Sequence, residues 1–249
     1  MAAPIVSSPI VYCHGLPGGS AEWAACAPPG LAAFAPDRNC PVSAAALAAQ
    51  VRAACGDSPV TLIGFSLGAP IALALARELG EQARHIHLVS PAAPLQLGDF
   101  LDAMVGGPLF RLAADRPALF RLVARIESVI ARAAPGFLFG RLFASAVGED
   151  AALARDPAFR TAMAQVLRSG LGRDWRGFAG EVAAYVTDWR GALAHVSTPV
   201  TIWQGEADNW TPPAMAEALA AALPGPVTLH RLPGCSHYLA LRTALARLS

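Results

Sequence analysis

The run Val60-Thr61-Leu62-Ile63-Gly64-Phe65-Ser66-Leu67-Gly68 is apolar, ends in G-x-S-x-G and passes directly into the Ala/Leu-rich stretch 69–79. It reads as strand, tight turn and helix. On such a turn the serine hydroxyl projects above the carboxyl edge of a sheet, and the following helix N-terminus favours developing negative charge. In a chain with 22 Gly, chance alone yields roughly 0.1 copies of the pentapeptide, so the flanking strand and helix carry the inference. Ser66 is the candidate nucleophile.

A serine hydroxyl is a weak nucleophile until a base accepts its proton, and that base needs an acid to fix its tautomer and stabilise the cation. Both follow downstream, acid first. Gln204-Gly205-Glu206-Ala207-Asp208 comes after a strand-like segment, 200–204, and Gly234-Cys235-Ser236-His237 comes after another, 227–232. Both loops fall where an open α/β sheet collects its active site. Asp208 is the candidate acid, with Glu206 and Asp188 as alternatives, and His237 is the candidate base. His85, His87, His195 and His230 lie inside strands or beside the central helical stretch, away from Ser66. His14 reads as a structural loop histidine. Trp175, Trp189 and Trp203 read as packing residues, whereas Trp210, two residues past Asp208, is also placed to touch substrate.

The elements that must position these residues alternate. Strand signals at 9–13, 60–65, 86–89, 200–204 and 227–232, with a weak one at 32–35, are separated by helix signals at 20–26, 43–55, 69–79, 213–223 and 237–248. Ser43 is a plausible N-cap and Gly56 a stop. Residues 94–194 break the alternation: they are helical throughout, and Leu119, Leu122, Val123, Ile126, Val129 and Ile130 form a 3.6-period stripe opposite Arg121, Arg125, Ser128 and Arg132. That stripe predicts a helix starting at Pro117 with its aliphatic face packed inward. Residues 1–93 and 195–249 therefore read as one core domain with a mostly parallel sheet of about six strands, helices on both faces, and residues 94–194 inserted as a helical cap.

A chain of 249 residues with net charge +1 has room for one large α/β domain and no general attraction to nucleic acid. No run of 18 uncharged apolar residues exists to cross a bilayer, and the N-terminus lacks the charged start and long apolar stretch of a secretory signal, so the expectation is a cytoplasmic protein without stable membrane insertion. Five cysteines, odd in number and without C-x-x-C or Cys/His ligand spacing, argue against a disulfide framework and a zinc site. All 19 basic residues are arginine, which removes lysine as a catalytic candidate.

With His14-Gly15, Gly64-Phe65-Ser66-Leu67-Gly68, Gly205-Glu206-Ala207-Asp208 and Gly234-Cys235-Ser236-His237 in this order, the chain resembles the α/β-hydrolase superfamily from Pro9 to its C-terminus. The resemblance implies that Ser66 is the nucleophile, His237 the general base and then acid, Asp208 the orienting carboxylate, and the backbone N–H groups of Leu16 and Leu67 the oxyanion hole. It implies no metal or organic cofactor and a small-molecule substrate, with the protein a monomer or homodimer. The chain departs from the family in two places. Only about eight residues precede the first strand where an additional strand pair is usual, and Ala35-Pro36-Asp37-Arg38-Asn39 replaces the usual arginine and glycine turn. The expected activity is serine hydrolysis of a carboxylic ester or thioester of a largely apolar substrate through an acyl-enzyme. Carbon–carbon bond hydrolysis with the same triad is the alternative within catalysis, and a non-catalytic small-molecule-binding or accessory protein is the alternative outside it. Residues 104–147 carry six Arg against Asp115 and Glu127, a local charge near +4 read here as a solvated face on the cap, with attraction to anionic substrates or a lipid surface as the alternative.

Overall fold

The computed structural model describes residues 8–38 and 40–248. Its centre is an all-parallel sheet in the order β1 (Ile10–Cys13), β2 (Val60–Phe65), β3 (Ala83–Val89), β4 (Val200–Gly205), β5 (Val227–Leu232). The two strands flanking β3 explain the sequence pattern. β2 is buried along nearly its whole length and β4 along all of it, which suits continuous apolar runs rather than alternation.

Crossover helices α1 (Ala21–Cys26), α2 (Ala44–Cys55), α3 (Gly68–Leu79), α10 (Pro213–Ala222) and α11 (His237–Leu248) pack on this sheet. α3 lies against β1, β2 and β3, α10 against β4 and β5, and α11 against β3 and β4, while α1 pairs with α11 and α2 with α3. The boundaries of α2 follow local chemistry: Ser43 Oγ accepts from Ala46 N at 3.2 Å, and Gly56 leaves the helix at φ 60.

Between β3 and β4 the chain forms α4 (Gly107–Asp115), α5 (Pro117–Ala133), α6 (Pro135–Leu142), α7 (Gly148–Leu153), α8 (Pro157–Ser169) and α9 (Trp175–Val186). These helices are tied to the core by named contacts: Tyr185 Oη donates to Ala93 O at 3.0 Å, Val105 N to Asn209 O at 2.9 Å, and Asn209 Nδ2 to Ser145 O at 2.9 Å.

Two expectations are corrected. The weak strand at 32–35 is a single parallel bridge, Val11 to Phe34, with Phe34 N donating to Ile10 O and Phe34 O accepting from Tyr12 N, so the sheet has five strands among the described residues. Pro36 lacks the N–H that a longer ladder would need. Whether an N-terminal segment completes that edge concerns residues 1–7, which lie outside the described residues, as does Asn39 in the turn that follows. The second correction is the orientation of α5. Its buried line is Phe120, Ala124, Ser128 and Ala131, and Leu119, Leu122, Ile126 and Val129 face outward. Only the edge bearing Arg121, Arg125 and Arg132 is barred from burial by charge, which leaves two uncharged faces available. The helix packs against α4, α9, α6 and α8 through the face with small residues, where backbones approach closely.

Candidate active site

The loops leaving the carboxyl ends of all five strands converge. Ser66 follows β2 directly and sits in left-handed backbone at φ 54, a strained conformation for a residue with a Cβ. The glycines of its motif are there for space. A Cβ on Gly64 would stand 2.9 Å from Ala69 Cα and Ala72 Cβ, and one on Gly68 would run into the carbonyl oxygens of Cys13 and His14. Strand, turn and helix can therefore close this tightly only with glycine at both positions.

Asp208, in the loop after β4, is buried and shares a contact of 2.8 Å from Oδ2 to His237 Nδ1. Its Oδ1 accepts from Trp210 N at 2.9 Å and Thr211 N at 3.0 Å, and the Thr211 hydroxyl lies 3.1 Å from Oδ2 and 2.9 Å from Ser90 O. Burial pushes the Asp208 carboxyl up, but His237 and these hydrogen bonds outweigh it and hold the group below its ordinary range. Asp208 is thus a carboxylate aimed at one nitrogen of the imidazole. The alternatives do not reach it: Glu206 is exposed, and Asp188 is engaged by Arg190, which draws its carboxyl down to about 2.

His237 opens α11. Its ring packs on Phe65, the residue before Ser66, with centroids 4.7 Å apart, and stacks nearly parallel under Trp210 at 5.4 Å. The described residues show no hydrogen bond between Ser66 Oγ and His237, a contact that commonly tightens only when substrate arrives. Ser66, Leu16, Leu67, Trp210 and Thr211 all line one cavity of about 310 Å³, whose remaining walls are mostly apolar side chains of the 104–182 segment, among them Met104, Leu109, Phe110, Leu138 and Phe178. The polar exception in those walls is the pair of Glu127 and Arg141, 2.8 Å apart. The remaining histidines sit elsewhere: His85 contacts Thr201 and His87 contacts Trp203, with burial drawing the His87 imidazole down to about 4.

Three groups that sequence reasoning passed over hold this arrangement. Glu22, fully buried, accepts from Tyr12 Oη at 2.7 Å, Gly15 N at 3.0 Å and Tyr238 Oη at 3.2 Å, so one carboxyl links the loop after β1 to the residue after His237. Burial raises its pKa above the ordinary value. Arg38, also fully buried, donates to His14 O and to Glu181 of α9 at 2.5 Å, tying the same loop to the helices above; burial and the Arg38 charge keep His14 neutral, its pKa well below normal. Asp150 of α7 accepts from Tyr238 N at 2.8 Å and Leu239 N at 2.9 Å, while its own N–H donates to Ser236 Oγ at 3.0 Å. A side chain from α7 therefore caps the helix that begins at His237. The only local signal for any of these was the position of Glu22 and Arg38 close to the loop they serve.

Among the described residues no three His, Cys, Asp or Glu side chains are gathered so as to hold a metal ion, and no helix is long and apolar enough to cross a membrane.

Strands that deliver a strained serine, a buried carboxylate and its histidine to one sheet edge define a hydrolase-type fold. A family profile described as alpha/beta hydrolase fold matches residues 34–242, and the chain belongs to that family. No curated protein matches it in sequence. Similar solved structures include a thermophilic esterase from Thermogutta terrifontis (18% identity, TM-score 0.62, covering 97% of this chain and 86% of that one). An enol-lactonase from Burkholderia xenovorans LB400 is similar over 99% of this chain and 90% of its own, at 18% identity and TM-score 0.62. A putative non-heme bromoperoxidase, BpoC from Mycobacterium tuberculosis H37Rv, matches over 97% and 91% at the same identity of 18% and TM-score of 0.62. At such identities the likeness concerns the fold.

Proposed function

We propose that the protein is a serine hydrolase that cleaves a carboxylic ester or thioester of a small, largely apolar substrate through an acyl-enzyme. The observation that carries this reading is the buried Asp208 to His237 contact of 2.8 Å, set beside a serine at φ 54 that opens into an apolar cavity of about 310 Å³. That volume is at the lower end of small-molecule sites, on the order of 300–1,000 Å³.

In this account Asp208 holds the proton of His237 on Nδ1, leaving Nε2 free to take the proton of Ser66 as its Oγ attacks the substrate carbonyl. The oxyanion that forms is held by the N–H groups of Leu16 and Leu67, both at the cavity wall. His237 then protonates the leaving group and activates the water that releases the acyl chain. Trp210, parallel to the His237 ring and exposed to the cavity, holds the imidazole plane and contacts the substrate. Residues 94–194 act as the cap that shapes the acyl pocket, since they supply most of its apolar walls.

The test is a series of p-nitrophenyl esters of increasing acyl length run beside acyl-CoA thioesters. Hydrolysis that peaks at one acyl length and disappears in Ser66→Ala is expected. Turnover retained in Ser66→Ala, or absent for every ester and thioester in the series, would contradict the reading.

A further inference from the structure

α5 turns its aliphatic side chains to solvent. Leu119 is 43% exposed, Leu122 53%, Ile126 51% and Val129 50%, and Phe137 on the next helix is 61% exposed. The four α5 positions make a stripe about 15 Å long at 1.5 Å per residue. Alongside it run Arg121, Arg125 and Arg132, exposed and in no ion pair among the described residues. On its other side the same helix presents Val123 and Glu127 to the substrate cavity.

We propose that this face docks the protein peripherally on an anionic lipid surface. A continuous apolar stripe on a soluble surface marks an interaction site, and an amphipathic helix with Leu and Ile on one face and Arg at its border is built to lie in the plane of a headgroup layer. Charge decides between occupants. A second copy pairing through the same patch brings the same residues, and around α5 these include only Asp115 and Glu127 as acids, the latter already engaged by Arg141 at 2.8 Å. Such a partner offers the row of three arginines one free carboxylate, Asp115, whereas anionic headgroups offer a counter-charge to each. Docked in this way, α5 lies between the lipid and the cavity whose wall Val123 and Glu127 help to form.

The test is sedimentation of the full-length protein with vesicles of phosphatidylcholine alone and of phosphatidylcholine with phosphatidylglycerol. Binding to the anionic vesicles, weakened by salt, is expected. Loss of all three charges in Arg121→Gln/Arg125→Gln/Arg132→Gln should weaken it on the order of 100-fold, taking about fivefold per arginine. Leu122→Ser/Ile126→Ser should abolish it while circular dichroism and cavity-dependent activity stay unchanged, because both side chains point away from the core. Failure to sediment with either vesicle, equal binding to neutral vesicles, or wild-type binding by either variant overturns the proposal. So does a dimer in equilibrium sedimentation that Leu122→Ser/Ile126→Ser converts to monomer, which would give the face to a second copy.

Discussion

Replacing Asp150 by alanine isolates the role of α7 in holding His237. The carboxylate is 1% exposed and accepts the N–H groups of Tyr238 and Leu239 at 2.8 and 2.9 Å, in the first turn of α11. The buried Tyr238 N–H loses its partner at a cost of about 1–3 kcal/mol and the half-buried Leu239 N–H at somewhat less, since water can reach it, which brings the sum to about 2–4 kcal/mol. For a chain of this size 1 kcal/mol moves Tm by about 2–4 °C, so the expected fall is about 5–15 °C by calorimetry. Asp150→Asn keeps one acceptor and should lose roughly half as much. Because α11 starts on His237 itself, kcat should fall in both variants while KM changes little. A Tm within about 1 °C of wild type for Asp150→Ala would refute the reasoning, since a buried backbone donor and its half-buried neighbour cannot both lose their acceptor at so small a cost.

Further outcomes follow from the other buried carboxylates. Asp208→Asn should preserve folding and lower kcat by up to about 10⁴ through the wrong imidazole tautomer, whereas Glu206→Gln, exposed and away from His237, should leave kcat within about twofold; steady-state assays of both variants check the ranking, and a larger loss in Glu206→Gln would transfer the acid's role. Glu22 has its folded pKa raised, so folding retains its proton: stability from this group is full below the unfolded value of about 4.3 and is lost as pH rises through the raised folded value. Thermal melts between pH 4 and 7 should therefore show wild type losing Tm relative to Glu22→Gln as pH rises, and the opposite slope would mean that the carboxylate, not the acid, is the form Gly15 N–H and the two tyrosines stabilise.

What could be read from the chain was whatever local order encodes. The apolar run into G-x-S-x-G, and the glycine-containing loops after 200–204 and 227–232, are short-range signals, and the structure sets Ser66, Asp208 and His237 at one sheet edge with Asp208 against His237. Tertiary partners were not legible in the same way. Asp150 caps residues 88 and 89 positions away, and Tyr238 reaches Glu22 across 216, so nothing beside Asp150 marks it as a cap. The orientation of α5 escaped for a different reason. Periodicity identifies an apolar face but not which of two uncharged faces finds a partner, and here the face lined by Ala124, Ser128 and Ala131 packs while the larger aliphatic one stays in solvent. The edge near Phe34 narrowed to one bridge because Pro36 interrupts the donors a strand would continue with.

The central claim, that Ser66 is an activated nucleophile, is tested most directly by treating the purified protein with a fluorophosphonate and mapping the adduct by mass spectrometry. The account predicts one adduct per chain, on Ser66, absent in Ser66→Ala and strongly slowed in His237→Ala. An adduct on another residue, or labelling of Ser66→Ala as complete as that of wild type, would contradict it.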